Sequence, residues 1–162
     1  IHERLVGSEM CIRDRCDNSN TFDYPFFHLY PNFYFSLRES VMSKKLLIVD
    51  DSKMSRIFIG QHVKAAHPDW VIQEAGTGEE AIALIENELP DFCTMDINMP
   101  GMLGTEAAKL ILAAHPDIRL VIFSANVQES YQNEARELGT ILVPKPVTQA
   151  SVGLALDYFL GA

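Results

Sequence analysis

The chain is 162 residues long, 48% hydrophobic and 22% charged, with a formal net charge of −9. That length suits one domain with a real core but hardly two, and the composition is that of soluble globular chains. The acidic balance argues against a nucleic-acid surface, which needs a basic patch, and no run approaches the roughly 18 apolar residues of a membrane span.

Residues 1–41 read differently from the rest. Phe22, Tyr24, Phe26, Phe27, Tyr30, Phe33, Tyr34 and Phe35 crowd a stretch interrupted by Pro25 and Pro31, and no helical or strand period holds across it. Gly7-Ser8-Glu9-Met10-Cys11-Ile12-Arg13-Asp14-Arg15 is similar to a peptide produced when sequencing-adapter DNA is translated. Residues 1–41 are therefore expected to be an artefactual or disordered extension, with the domain spanning 42–162. Cys11 and Cys16 have no second pair or nearby histidine that would make a zinc site. Cys93 lies in an apolar run and reads as a small core residue. Sparse cysteines and the lack of a signal-peptide pattern point to a reducing, cytoplasmic setting.

From Met42 onward, short apolar runs alternate with amphipathic stretches. Residues 45–49 form a first strand that runs into Asp50 and Asp51. A helix over 53–66 follows, with Met54, Ile57, Phe58, Gln61 and Ala65 at near-helical spacing and His67-Pro68 as its stop. The second strand is expected at 70–75, with Gly76 and Gly78 in a loop before a helix at 79–88. That helix turns Ala81, Ile82, Leu84 and Ile85 inward. The third strand, 92–95, ends on Asp96. A helix at 103–114, again closed by His-Pro, leads to a fourth strand at 118–123. A polar helix at 128–138, closed by Gly139, precedes a fifth strand at 140–143 and a terminal helix at 148–160.

Five strands without a wet face, alternating with helices, predict a parallel sheet covered on both sides. Right-handed crossovers make it a doubly wound α/β domain. The repeated Ala-His-Pro-Asp at 66–69 and 114–117 is one stop signal used twice, and neither His67 nor His115 is expected to be catalytic.

Ligands of such sheets gather at the carboxyl ends of the strands, where the winding reverses. The polar residues expected there are Asp50 and Asp51, Asp96 with Asn98 two residues on, Ser124, and Lys145 after Pro144. Three carboxylates form a hard-oxygen cluster that suits Mg²⁺, a cation that keeps several waters and reaches for phosphate. The chemistry this set suits is phosphoryl transfer, with Asp96 as nucleophile. Ser124 offers a hydroxyl to a phosphoryl oxygen, and Lys145 a mobile cation. Taken singly, Ser124 reads as a helix cap and Lys145 as a solvated loop charge.

Val49-Asp50-Asp51-Ser52, Met95-Asp96-Ile97-Asn98-Met99-Pro100-Gly101, Ser124-Ala125 and Lys145-Pro146 together resemble the receiver domain of bacterial two-component response regulators, from about Lys44 onward. The resemblance implies a flavodoxin-like (βα)5 receiver fold with strand order 2-1-3-4-5. It implies Mg²⁺ held by Asp50, Asp51, Asp96 and the Asn98 backbone carbonyl. It also implies a phosphoryl group passed to Asp96 from a sensor histidine kinase or phosphotransfer protein, Ser124 and Lys145 as the residues that register it, and a cis Lys145–Pro146 bond. The expected output is a separate effector protein bound on the face of the fourth helix, fifth strand and fifth helix, with a monomer as the default and no enzymatic turnover beyond autodephosphorylation. The family usually carries Tyr or Phe three residues before the lysine; here that position is Leu142, which can neither swing a ring nor donate a hydroxyl. Pro144 should stiffen the approach to Lys145.

Three rival readings are weaker. A Mg²⁺-dependent small-molecule phosphatase would want a second acid or base two residues after its nucleophile, where this chain has Asn98. A flavin or dinucleotide module would need a Gly- or hydroxyl-rich loop in place of Asp50-Asp51. An unphosphorylated receiver scaffold conflicts with the complete acceptor set, although Leu142 would suit it.

Overall fold

The computed structural model describes residues 43–161; the expectations for residues 1–41 lie outside them. Ten elements alternate along the described chain: β1 Lys45–Val49, α1 Lys53–Ala66, β2 Val71–Ala75, α2 Gly78–Asn87, β3 Phe92–Asp96, α3 Gly104–Ala114, β4 Arg119–Ser124, α4 Glu129–Glu137, β5 Ile141–Pro144 and α5 Gln149–Leu160. The strands are all parallel, in the order β2-β1-β3-β4-β5. Fold class is the one the sequence predicts and strand order the one the receiver resemblance implies, and the element ends shift by at most one residue.

Alternation along each strand splits the core in two. Leu46, Ile48, Phe92, Val121, Phe123 and Val143 meet α1 and α5 through Ile59, Val63, Val152 and Phe159. Leu47, Val49, Cys93, Met95, Leu120 and Ile122 meet α2, α3 and α4 through Ala81, Ile85, Ala107, Ile111 and Ala135. β1, β3 and β4, with helices on both faces, are almost wholly buried. The expectation of uniformly dry strands fails at the sheet edge, where β2 leaves Val71 and Glu74 exposed.

Two further corrections concern helix ends and faces. Gly78 is not a loop residue but the first residue of α2, behind the Thr77 cap, whose Oγ1 accepts the Glu80 N–H at 3.2 Å. A Cβ on Gly78 would stand 3.0 Å from the Ala107 Cβ, so its smallness lets α2 approach α3. In α1 the predicted stripe is displaced. Met54, Phe58, Gln61 and Ala65 are exposed, and the helix buries Ile59 and Val63 instead. Spacing fixed the period but not the phase, because α1 has apolar residues on both sides of the seam. The true inner face also carries the half-buried Arg56.

Candidate phosphoryl-acceptor and cation site

β1 and β3 lie side by side at the centre of the sheet, and their carboxyl ends sit where the strand order reverses. Asp50 follows the last residue of β1 and Asp96 is the last residue of β3. Both are buried, whereas Asp51 is exposed. One carboxylate oxygen from each of Asp50, Asp51 and Asp96 lies within 4.8 Å of the others.

Lys145 reaches this cluster from the end of β5. Its Nζ stands 2.8 Å from Asp50 Oδ2 and 2.9 Å from Asp96 Oδ2, with the side chain 18% exposed. Burial by itself would disfavour the ammonium, but the two carboxylates outweigh it and raise the Lys145 pKa. Burial raises the Asp96 pKa above the ordinary aspartate value; the nearby Asp50 adds to this, against the opposing pull of Lys145. The Lys145–Pro146 peptide is cis, as the resemblance implies, and the Lys145 N–H donates to the Ser124 carbonyl at 2.8 Å.

Ser124 is fully buried at the end of β4. Its Oγ accepts the Asn126 N–H at 3.0 Å, and Asn126 Oδ1 accepts the Gln128 N–H at 3.1 Å, so two short links run from Ser124 to the start of α4. Strand alternation puts Asp96 on the α1/α5 face with Phe92 and Thr94, and Ser124 on the opposite face with Leu120 and Ile122. Asn98 is exposed just beyond β3. Leu142, half-buried, packs against the core on the α2–α4 face and stays out of the acidic cluster.

The loop after Asp96 is shaped by backbone needs. Gly101 has φ of +84°, a conformation that L side chains rarely adopt. Gly104 opens α3 so close to β3 that a Cβ there would fall 1.7 Å from the Asp96 carbonyl oxygen. From the first turn of α2, Glu79 Oε1 accepts the Met102 N–H at 3.0 Å.

The structure thus brings together Asp50, Asp51, Asp96 and Lys145, with Ser124 and Asn98 at the ends of the strands that flank or carry them. Sequence reading missed Glu79, Gly104 and Arg56. Glu79 and Gly104 left no local signal. Arg56 did leave one, being a cation in the first turn of a helix, where the dipole disfavours it.

The donor set fits Mg²⁺. It consists of hard carboxylate oxygens grouped within reach of one ion, and the single Lys145 ammonium shared by two of them leaves the cluster with a net negative charge.

The sequence profile of the response regulator receiver domain matches residues 46–156. The chain belongs to that family. Chemotaxis protein CheY from Thermotoga maritima is 34% identical over 117 residues, which cover 72% of this chain and 97% of that protein. The transcriptional regulatory protein DegU from Brevibacillus brevis is 31% identical over 106 residues, and the match spans only 44% of its length. Among solved structures, the CheX–CheY–BeF3–Mg complex from Borrelia burgdorferi aligns with a TM-score of 0.70 at 25% identity, covering 76% of this chain and 93% of that one. The receiver thus has the two-component signalling fold, and no described helix is long and apolar enough to cross a membrane.

Proposed function

We propose that this receiver works as the phosphoryl-accepting switch of a response regulator in a two-component phosphorelay, accepting a phosphoryl group on Asp96 from a histidine kinase or phosphotransfer protein. The observation that carries the reading is the group of three carboxylates within 4.8 Å, two of them paired with one lysine. The match to CheY over nearly that protein's whole length supports the receiver reading.

Asp50, Asp51, Asp96 and the Asn98 carbonyl are the groups that would hold Mg²⁺. When bound, the cation offsets the charge that gathers on the transferring phosphoryl oxygens. The chain's own residues supply the rest. An Asp96 carboxylate oxygen attacks phosphorus in line, a new P–O bond forms, and the P–N bond to the donor imidazole breaks, with the bonding pair leaving on nitrogen. Lys145, freed from one of its carboxylates, pairs with the new phosphoryl charge. Ser124 turns its hydroxyl to a phosphoryl oxygen and gives up the Asn126 N–H.

That last exchange loosens the links from Ser124 to α4. The α4–β5–α5 face then changes its affinity for an effector protein. Leu142 offers no ring to this step, so the output rests on Ser124 and the loop through Asn126. The protein acts in the cytoplasm as a monomeric switch and not as a turnover enzyme.

The test is incubation with radiolabelled acetyl phosphate, with and without Mg²⁺. Wild type labels only with Mg²⁺ present, and Asp96→Ala does not label. Labelling of Asp96→Ala at the wild-type level would overturn the assignment of the nucleophile. Absence of labelling in wild type would favour the unphosphorylated scaffold.

A further inference from the structure

We infer that Arg56 is a positioning residue for the cation site, holding the Asp50–Asp51 peptide so that the exposed Asp51 carboxylate stays beside Asp50 and Asp96. The inference rests on the reading of those three carboxylates as Mg²⁺ ligands.

The geometry starts from the first turn of α1, where Arg56 folds back over the carboxyl end of β1. Its Nη1 donates to the Asp50 carbonyl at 2.7 Å, and its Nε donates to Glu74 Oε2 of β2 at 2.8 Å. The side chain is only 16% exposed. The planar guanidinium therefore spans the ends of two strands, a two-acceptor reach that a point-charge ammonium lacks. Gly76, with no side chain, runs alongside; a Cβ there would lie 3.9 Å from Nη1.

Every other polar group of Asp50 is also held. Its N–H donates to the Ala75 carbonyl at 3.1 Å, its Oδ1 accepts the Ser52 N–H at 2.8 Å, and its Oδ2 meets Lys145. The Asp50 carbonyl belongs to the same rigid plane as the Asp51 N–H and Cα. Fixing that oxygen fixes where the Asp51 side chain starts, and Asp51 is the one exposed member of the cluster. Arg56 thus acts on Asp51 through the backbone.

A rival role for Arg56 is electrostatic, as a cation that opposes Mg²⁺. The two roles predict changes of opposite sign. Isothermal titration calorimetry of Mg²⁺ into the full chain separates them, with thermal melts by circular dichroism at each variant. Positioning predicts that Arg56→Gln and Arg56→Lys both weaken Mg²⁺ binding about tenfold, as loss of groups that orient ligands commonly does. A charge role predicts tighter binding in Arg56→Gln and wild-type binding in Arg56→Lys, and either result overturns the inference. A lowered melting temperature with unchanged Mg²⁺ affinity reduces Arg56 to a fold contact and also overturns it. Should Arg56→Gln fail to fold, Arg56→Lys decides alone: about tenfold weakening upholds positioning, and wild-type affinity refutes it. Absence of Mg²⁺ binding in wild type would remove the cation reading itself, and the inference with it.

Discussion

Lys145 holds two buried carboxylates together, and that makes it the residue on which the resting site depends. Asp50 and Asp96 repel each other, and burial already pushes the Asp96 pKa up. Removing the ammonium leaves two partly desolvated acids facing each other. Lys145→Ala should cost about 3 kcal/mol of stability, the low end for losing one partner of a buried pair, because the lysine side chain keeps some exposure. Saturating Mg²⁺ should recover part of that cost by supplying the missing positive charge. Thermal melts with and without Mg²⁺ check this: the metal-induced gain in melting temperature should be larger in Lys145→Ala than in wild type. At this scale the sequence was informative, because each site residue closes an apolar strand or follows one closely. Arg56 and Glu79 were harder to see. Their partners, the Asp50 and Glu74 groups and the Met102 N–H, come from segments distant in sequence or from backbone atoms that no side-chain pattern reveals.

At the scale of elements, the end of the sheet opposite the site is tied by charges. Asp91, just before β3, accepts the Lys45 N–H at 2.9 Å and pairs with Lys44 Nζ at 2.9 Å, so it links the starts of β1 and β3. Burial by itself would raise its pKa, but the Lys45 N–H and the Lys44 ammonium outweigh that and hold it below the ordinary aspartate value. An acid whose pKa is lowered by folding adds stability above its unfolded pKa and loses it as pH falls through the folded value. The loss therefore falls below about pH 4, the range of an unperturbed aspartate. Asp91→Asn should flatten the acid limb of the stability–pH profile there, as measured by urea melts at a series of pH values. An acid limb as steep as wild type would show that Asp91 contributes nothing to it. The helices show where sequence legibility stops. Their existence and order follow from period and stop signals, but the inward face of α1 does not. Phe58 and Met54 are as apolar as Ile59 and Val63, and only the approach of β1 and α5 selects which pair is buried.

At the scale of the whole molecule, parallel pairing brings the ends of β1, β3, β4 and β5 to one edge, with the proposed acceptor Asp96 and the proposed readout residue Ser124 on opposite sides of the strand alternation. Asp96 belongs to the α1/α5 face, whereas Ser124 and Leu142 belong to the α2–α4 face, so under the proposed function the signal crosses from β3 to β4 at Ser124. The fold class was legible because largely apolar strands alternating with helices leave a doubly wound sheet as the economical arrangement, whereas the strand order followed from the receiver resemblance. The two-faced placement of acceptor and readout was not, since it depends on which residue of each strand is last. The central claim is that Asp96 carries the phosphoryl group. Borohydride reduction of the acetyl-phosphate-treated protein, followed by peptide mass spectrometry, tests it most directly. An acyl phosphate on Asp96 converts that residue to homoserine, so the peptide containing Met95-Asp96-Ile97 should carry homoserine only when Mg²⁺ and acetyl phosphate were both present. Homoserine at Asp50 or Asp51, with none at Asp96, would contradict the account.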